Sequence, residues 1–139
     1  MRRVVLDIGV VVSGLISDEG PPARILDHWR HGRFEIVLSD AWLEEFDDVF
    51  ARPHLASRIG VGLSALLRAA IIDHGVVVRD QQLRPGATPD PDDDYLVALA
   101  DACRCDYLVS GDRHLLGIVA AKPPVLTPRQ FLDVLERAP

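Results

Sequence analysis

Short apolar runs alternate along this chain with longer stretches in which apolar residues recur every three or four positions. Val4-Val5-Leu6 is β-branched and apolar and reads as a first strand. Residues 34–38 read as a second strand, 75–78 as a third, 107–109 as a fourth and 124–126 as a fifth. Residues 10–16, small and apolar, follow the first strand and are expected to pack on the sheet. After Pro21-Pro22, the residues Ala23, Ile25, Leu26 and Trp29 fall at helical spacing, and Gly32 closes the turn. Ser39 or Asp40 caps a helix carrying Ala41, Leu43, Phe46, Val49 and Phe50, which Pro53 is expected to break. Helices are expected over 63–72 and 95–103, a short helix or turn over 112–118, and a final helix from Thr127-Pro128 through Leu135. Residues 81–91, with Pro85-Gly86 and Pro89-Asp90-Pro91, read as a loop.

Strands alternating with helices predict a parallel sheet covered on both faces, a three-layer α/β/α sandwich. The 139 residues fit one domain, 1–139, without repeat or linker. Hydrophobic residues make up 48%, enough to fill one core and too many for a disordered chain. No apolar run reaches the roughly 18 residues of a membrane span, and the run before Asp7 is too short for a signal-peptide core. The expected location is therefore the cytoplasm, with no membrane partner. Cys103 and Cys105 stand two apart, a spacing read here as two reduced thiols near a helix end.

The formal net charge of −6 disfavours non-specific nucleic-acid binding, unless several of the acids hold cations. The cations are 14 Arg and one Lys, and Arg suits planar, bidentate contacts to phosphate.

Placement sharpens the charge argument. In a parallel α/β sheet, sites form beyond the carboxyl ends of the strands. Asp7 follows the first strand, and Asp112 follows the fourth after Ser110-Gly111. Asp92-Asp93-Asp94 stands just before the helix that feeds the fourth strand, and Glu44-Glu45 lies in the helix after the second. Singly, each acid is an ordinary turn residue, cap or solvated helix position. Together they fall on one edge of one sheet. Clustered carboxylates repel unless they share protons or bind hard cations such as Mg²⁺ or Mn²⁺. A calcium loop at Asp90, Asp92 and Asp94 is excluded, because Tyr95 occupies the position that needs Gly. A phosphoacceptor receiver is disfavoured, because Arg79 follows the third strand where the acceptor should stand.

The ordered series is similar to the PIN-domain family. It runs Val4-Val5-Leu6-Asp7, Gly20-Pro21-Pro22-Ala23-Arg24-Ile25-Leu26, Ile36-Val37-Leu38-Ser39 with Glu44-Glu45, Asp90-Pro91-Asp92-Asp93-Asp94-Tyr95, Asp106-Tyr107-Leu108-Val109-Ser110-Gly111-Asp112 and Val125-Leu126-Thr127-Pro128. Within that family it most resembles the toxins of toxin–antitoxin pairs, akin to VapC. The resemblance implies a metal-dependent endoribonuclease using Mg²⁺ or Mn²⁺. Its acids would be Asp7, Glu45, Asp93 and Asp112, with Glu44 and Asp94 as competing positions. Its partners would be an RNA substrate, a cognate antitoxin and a second copy in a homodimer. Ser110, Arg113 and His114, around the last acid, are expected to contact substrate. The family usually carries a hydroxyl residue and then Asn after its first Asp, whereas here Ile8 and Gly9 follow Asp7. The double substitution Ile8→Thr with Gly9→Asn is therefore expected to strengthen Mn²⁺ binding. That departure also keeps open an alternative, a catalytically weak PIN fold that binds RNA or protein without cleaving.

Overall fold

The computed structural model describes residues 1–79, 91–118 and 123–137, with the side chains of 91–94 excepted. The loop expected over 81–91 lies almost wholly outside the described residues. The strands are β1 (Arg3–Leu6), β2 (Glu35–Leu38), β3 (Val76–Val77), β4 (Tyr107–Val109) and β5 (Val125–Leu126). They form one sheet in the order β3-β2-β1-β4-β5, and every pair is parallel. The described helices are α1 (Ile8–Ile16), α2 (Pro21–Arg30), α3 (Asp40–Phe50), α4 (Pro53–Ile59), α5 (Val61–His74), α6 (Pro91–Ala102), α7 (Arg113–Leu116) and α8 (Pro128–Arg137). They flank the sheet, giving the three-layer α/β/α architecture that the alternation predicts.

The central strands are apolar because both of their faces are covered. Val4, Val5, Leu6, Leu108 and Val109 are all buried. Each such side chain contributes on the order of 1.5–3 kcal/mol relative to exposure. The core extends outward through Ile25 and Leu26 of α2, Trp42 and Phe46 of α3, Leu99 of α6 and Phe131 of α8. Phe34 meets Phe131 edge to face with ring centroids 5.2 Å apart. That contact fastens the last helix to the start of β2, and Arg24 of α2 pairs with Glu136 of α8 on the surface. Among the described residues no single helix is long and apolar enough to cross a membrane.

Two local expectations change, and one is extended. Pro53 follows the end of α3 as expected, and it also opens α4. Proline in the first helical turn lacks only an N–H that would be unpaired there anyway. For the same reason α6 starts at Pro91, so Asp92, Asp93 and Asp94 belong to its first turn instead of preceding it. Carboxylates are favoured there by the positive end of the helix dipole. Finally, Cys103 and Cys105 are joined as a disulfide, with Cα atoms 5.3 Å apart, and not left as thiols. Arg104 between them takes the left-handed conformation (φ 52°), which turns the chain sharply enough to bring the sulfurs together. Closing so short a loop restricts the unfolded chain little, so its contribution to stability is local.

Gly75, between α5 and β3, is required by space. A Cβ there would stand 2.4 Å from the Ile71 carbonyl oxygen and 2.5 Å from Leu38 Cδ2. We expect Gly75→Ala to destabilise the protein by about 1–3 kcal/mol through overpacking. Gly62, in α5, has nothing within 4 Å of a built Cβ. Gly62→Ala should be neutral or stabilise by up to about 1 kcal/mol. Paired denaturant titrations check both, and an unaltered midpoint for Gly75→Ala would show that the α5–β3 junction yields.

Candidate active site

The strand order reverses direction between β1 and β4, because the chain leaves β1 toward β2 on one side and places β4 on the other. The carboxyl ends of β1 and β4 border the crevice where ligands bind in open parallel sheets. Their register pairs Leu6 with Val109, so the residues that follow, Asp7 and Ser110, emerge side by side. The Asp7 amide continues the ladder by donating to the Val109 carbonyl at 2.9 Å.

Both aspartates are helix caps. Asp7 caps α1, its Oδ1 accepting from the Gly9 amide at 3.4 Å, and Asp112 caps α7, its Oδ1 accepting from the His114 amide at 2.8 Å. Ser110 joins them. Its hydroxyl donates to Asp7 Oδ2 at 2.7 Å and accepts from the Asp112 amide at 3.0 Å. Ser110 is buried, and its own amide donates to the Leu126 carbonyl of β5 at 3.0 Å. The sequence reading made Ser110 a substrate contact. A fully buried hydroxyl whose one proton goes to Asp7 suits holding that carboxylate in place.

Glu45 arrives from α3. Ser39 caps this helix by accepting from the Trp42 amide at 3.2 Å. One turn in, the buried Trp42 ring donates from Nε1 to the Leu6 carbonyl at 2.8 Å. This bond ties α3 to the last residue of β1, immediately before Asp7. Glu45 stands three residues after Trp42, on the same helix face. It is half-buried and lines one cleft together with Asp7, whereas Glu44 is exposed and does not line it. The cleft has a volume of about 510 Å³, within the range of small-ligand sites.

Asp93 and Asp94 fall in the first turn of α6, and their side chains lie outside the described residues. Among the described residues, no group of three or more His, Cys, Asp or Glu is arranged to hold a metal ion. Asp7 and Glu45, which line one cleft, and Asp112, whose amide bonds Ser110, carry hard oxygen atoms of the kind that suits a divalent cation such as Mg²⁺ or Mn²⁺. Arg113 and His114 are exposed on α7, and their side chains make no hydrogen bond or ion pair among the described residues.

Residues 3–114 match the family model described as PIN domain. The chain belongs to the PIN-domain family. No individual curated protein matches alongside that model. PIN domains are generally nucleases and typically use divalent metals, and Asp7, Glu45 and the Asp7–Ser110–Asp112 arrangement all lie inside the matched span.

The departure at Ile8 and Gly9 takes on a physical meaning in this PIN domain. Ile8 is 2% exposed and belongs to the core, while a Cβ on Gly9 would meet nothing within 4 Å. Gly9 also lies outside the positive-φ glycines, so the helix does not require it. A hydroxyl does reach the first acid from the neighbouring strand, where Ser110 donates to Asp7.

Sequence reading missed one group. Arg52, His54 and Arg58, from the start and body of α4, line the same cleft as Asp7 and Glu45. The visible signal was Pro53 opening a helix on which His54 and Arg58 stand four apart, hence on one face.

Two positions test this geometry. Ser110→Ala removes the donor to Asp7 and strands the Asp112 amide, and should cost about 1–3 kcal/mol in a denaturant titration. A cost below the error of the measurement would mean that solvent replaces both bonds. Ile8→Thr should lower stability by about 1–3 kcal/mol by placing a hydroxyl in the core, while Gly9→Asn should fold as well as the parent. Separate melting curves for the two single variants check this, and a stable Ile8→Thr would contradict the core assignment.

Proposed function

We propose that this PIN domain is a divalent-metal-dependent endoribonuclease, with Asp7, Glu45, Asp93 and Asp112 as its acids. The observation that carries the reading is the Asp7–Ser110–Asp112 bridge at the reversal point of the sheet. The Asp7 carboxylate is held there by the Ser110 hydroxyl and the Asp112 carboxylate by the His114 amide, at the crevice where such sheets bind ligands. Asp7 Oδ2 accepts from Ser110 with one lone pair and keeps another for a ligand. Asp7, Glu45 and Asp112 would hold Mg²⁺ or Mn²⁺, with Asp93 from the first turn of α6. When bound, such a cation supplies Lewis acidity that neutralises charge developing on a phosphate and acidifies the attacking water.

The protein's own contribution is positional. Ser110 fixes one rotamer of Asp7 and, through the Asp112 amide, the start of α7. Trp42 sets the height of Glu45 over the end of β1. Fixing these acids before substrate arrives removes a reorganisation cost from the reaction. Arg113 and His114, exposed on α7, would meet phosphates that flank the reacting one.

The ordered motifs extend the reading to a toxin of a toxin–antitoxin pair, with a cognate antitoxin and a homodimer as partners. The exposed apolar side chains Val61 and Leu66 of α5, 73% and 71% accessible, support a protein partner on that helix.

The experiment is cleavage of a labelled RNA with Mn²⁺ or Mg²⁺, with analysis of product ends. We expect 5′-phosphate and 3′-hydroxyl ends, loss with chelator, and a fall of at least roughly 100-fold for Asp7→Asn, Asp93→Asn and Asp112→Asn. Glu45→Gln should follow them, while Glu44→Gln and Asp94→Asn keep most activity. RNA binding without cleavage would instead favour a non-catalytic PIN module.

A further inference from the structure

We propose that the cleft between α1, α3 and α4 is the subsite for the single-stranded RNA nucleotide next to the scissile phosphate, with Arg52 and Arg58 pairing its phosphate. This rests on the ribonuclease reading above and extends it to substrate recognition.

The cleft joins three kinds of surface. Asp7 and Glu45 supply its acids. Val12, Ile16, Val49 and Leu55 supply an apolar lining, and Arg52, His54 and Arg58 supply cations. Arg52 follows the end of α3 and caps α4, seven residues beyond Glu45. The arginines are available. Arg68 is held by Asp47 at 2.8 Å, Arg30 by Asp27 at 3.5 Å and Arg129 by Asp133 at 4.0 Å. Arg52 and Arg58 are exposed and have no hydrogen bond or ion pair from their side chains among the described residues. In a chain of net charge −6, two guanidinium groups without an ion pair among the described residues line the same cleft as two acids. Guanidinium forks match phosphate oxygens bidentately. A nucleotide presents the same sequence of chemistries, a charged phosphate and a base with an apolar face. The carboxylates of an acidic peptide would pair the arginines but bring no ring face to the apolar lining.

The test is fluorescence anisotropy of a short labelled single-stranded RNA in EDTA, so that no cleavage occurs, repeated across salt concentrations. Arg52→Ala and Arg58→Ala should each weaken binding roughly 10-fold. The slope of log affinity against log salt should shrink by about 0.7 per arginine, about 1.4 for the double variant. Arg→Lys at both positions should restore most of the slope, which a merely misfolded variant would not do. Arg30→Ala, on α2, should leave both quantities unchanged. A double alanine variant with wild-type affinity and slope overturns the subsite. Cleavage with Mn²⁺ in that case leaves the ribonuclease reading standing. Arginine-dependent RNA binding in a protein that never cleaves would uphold the subsite and sink the ribonuclease reading. Polyglutamate bound as tightly as RNA, with the same loss in the double variant, would mark an acidic-peptide dock and overturn the proposal.

Discussion

The pairing of β1 with β4 is the constraint on which the rest of the site depends. Val4, Val5 and Leu6 lie against Tyr107, Leu108 and Val109 in parallel register at the centre of the sheet. Both strands are buried, so a slip of one residue would exchange their faces and disrupt two layers of packing at once. Because the strands are parallel, they finish at the same edge. Because their register is fixed, Asp7 and Ser110 finish side by side, although 103 residues separate them in the chain. Apolar packing thereby decides the position of polar chemistry.

Carboxylates gathered at such an edge repel one another, so they cannot organise themselves. Neutral donors do that work in this PIN domain. The Ser110 hydroxyl and the Trp42 indole both come from buried residues, and each binds an atom at or next to the end of β1. The position after Asp7, where the resemblance led us to expect a polar residue, belongs to the core residue Ile8. The steadying hydroxyl reaches Asp7 across the sheet from β4. A hydroxyl bonded to Asp7 thus comes from a distant position in the chain, and no residue adjacent to Asp7 announces it.

Charge is sorted in a comparable way. Several acids and arginines pair along helix surfaces, as in Arg68 with Asp47 and Arg24 with Glu136. Those pairs are largely exposed and contribute little each. Arg52 and Arg58 stay outside them, at a cleft that also holds two candidate ligands. An overall charge of −6 conceals this arrangement, since net charge carries no information about which face a cation occupies.

The alternation of strands and helices, and hence the parallel α/β/α class, was legible in the chain because hydrophobic period is a local property. So was a cap at Ser39 or Asp40, which the structure assigns to Ser39, because a cap acts within three residues. The placement of Asp7 and Asp112 at strand ends also followed from sequence, because only their distance from an apolar run was needed. Tertiary structure decided what depends on distant neighbours. It made Ser110 a link between two acids, set Glu45 rather than Glu44 toward the cleft, and turned α4 so that Arg52 and Arg58 face it. It also bonded Cys103 to Cys105 through an uncommon backbone turn at Arg104. Sequence period reports which residues seek burial. It does not report which strand end or helix face becomes the neighbour of each, and hydrogen-bond partners are chosen by that proximity.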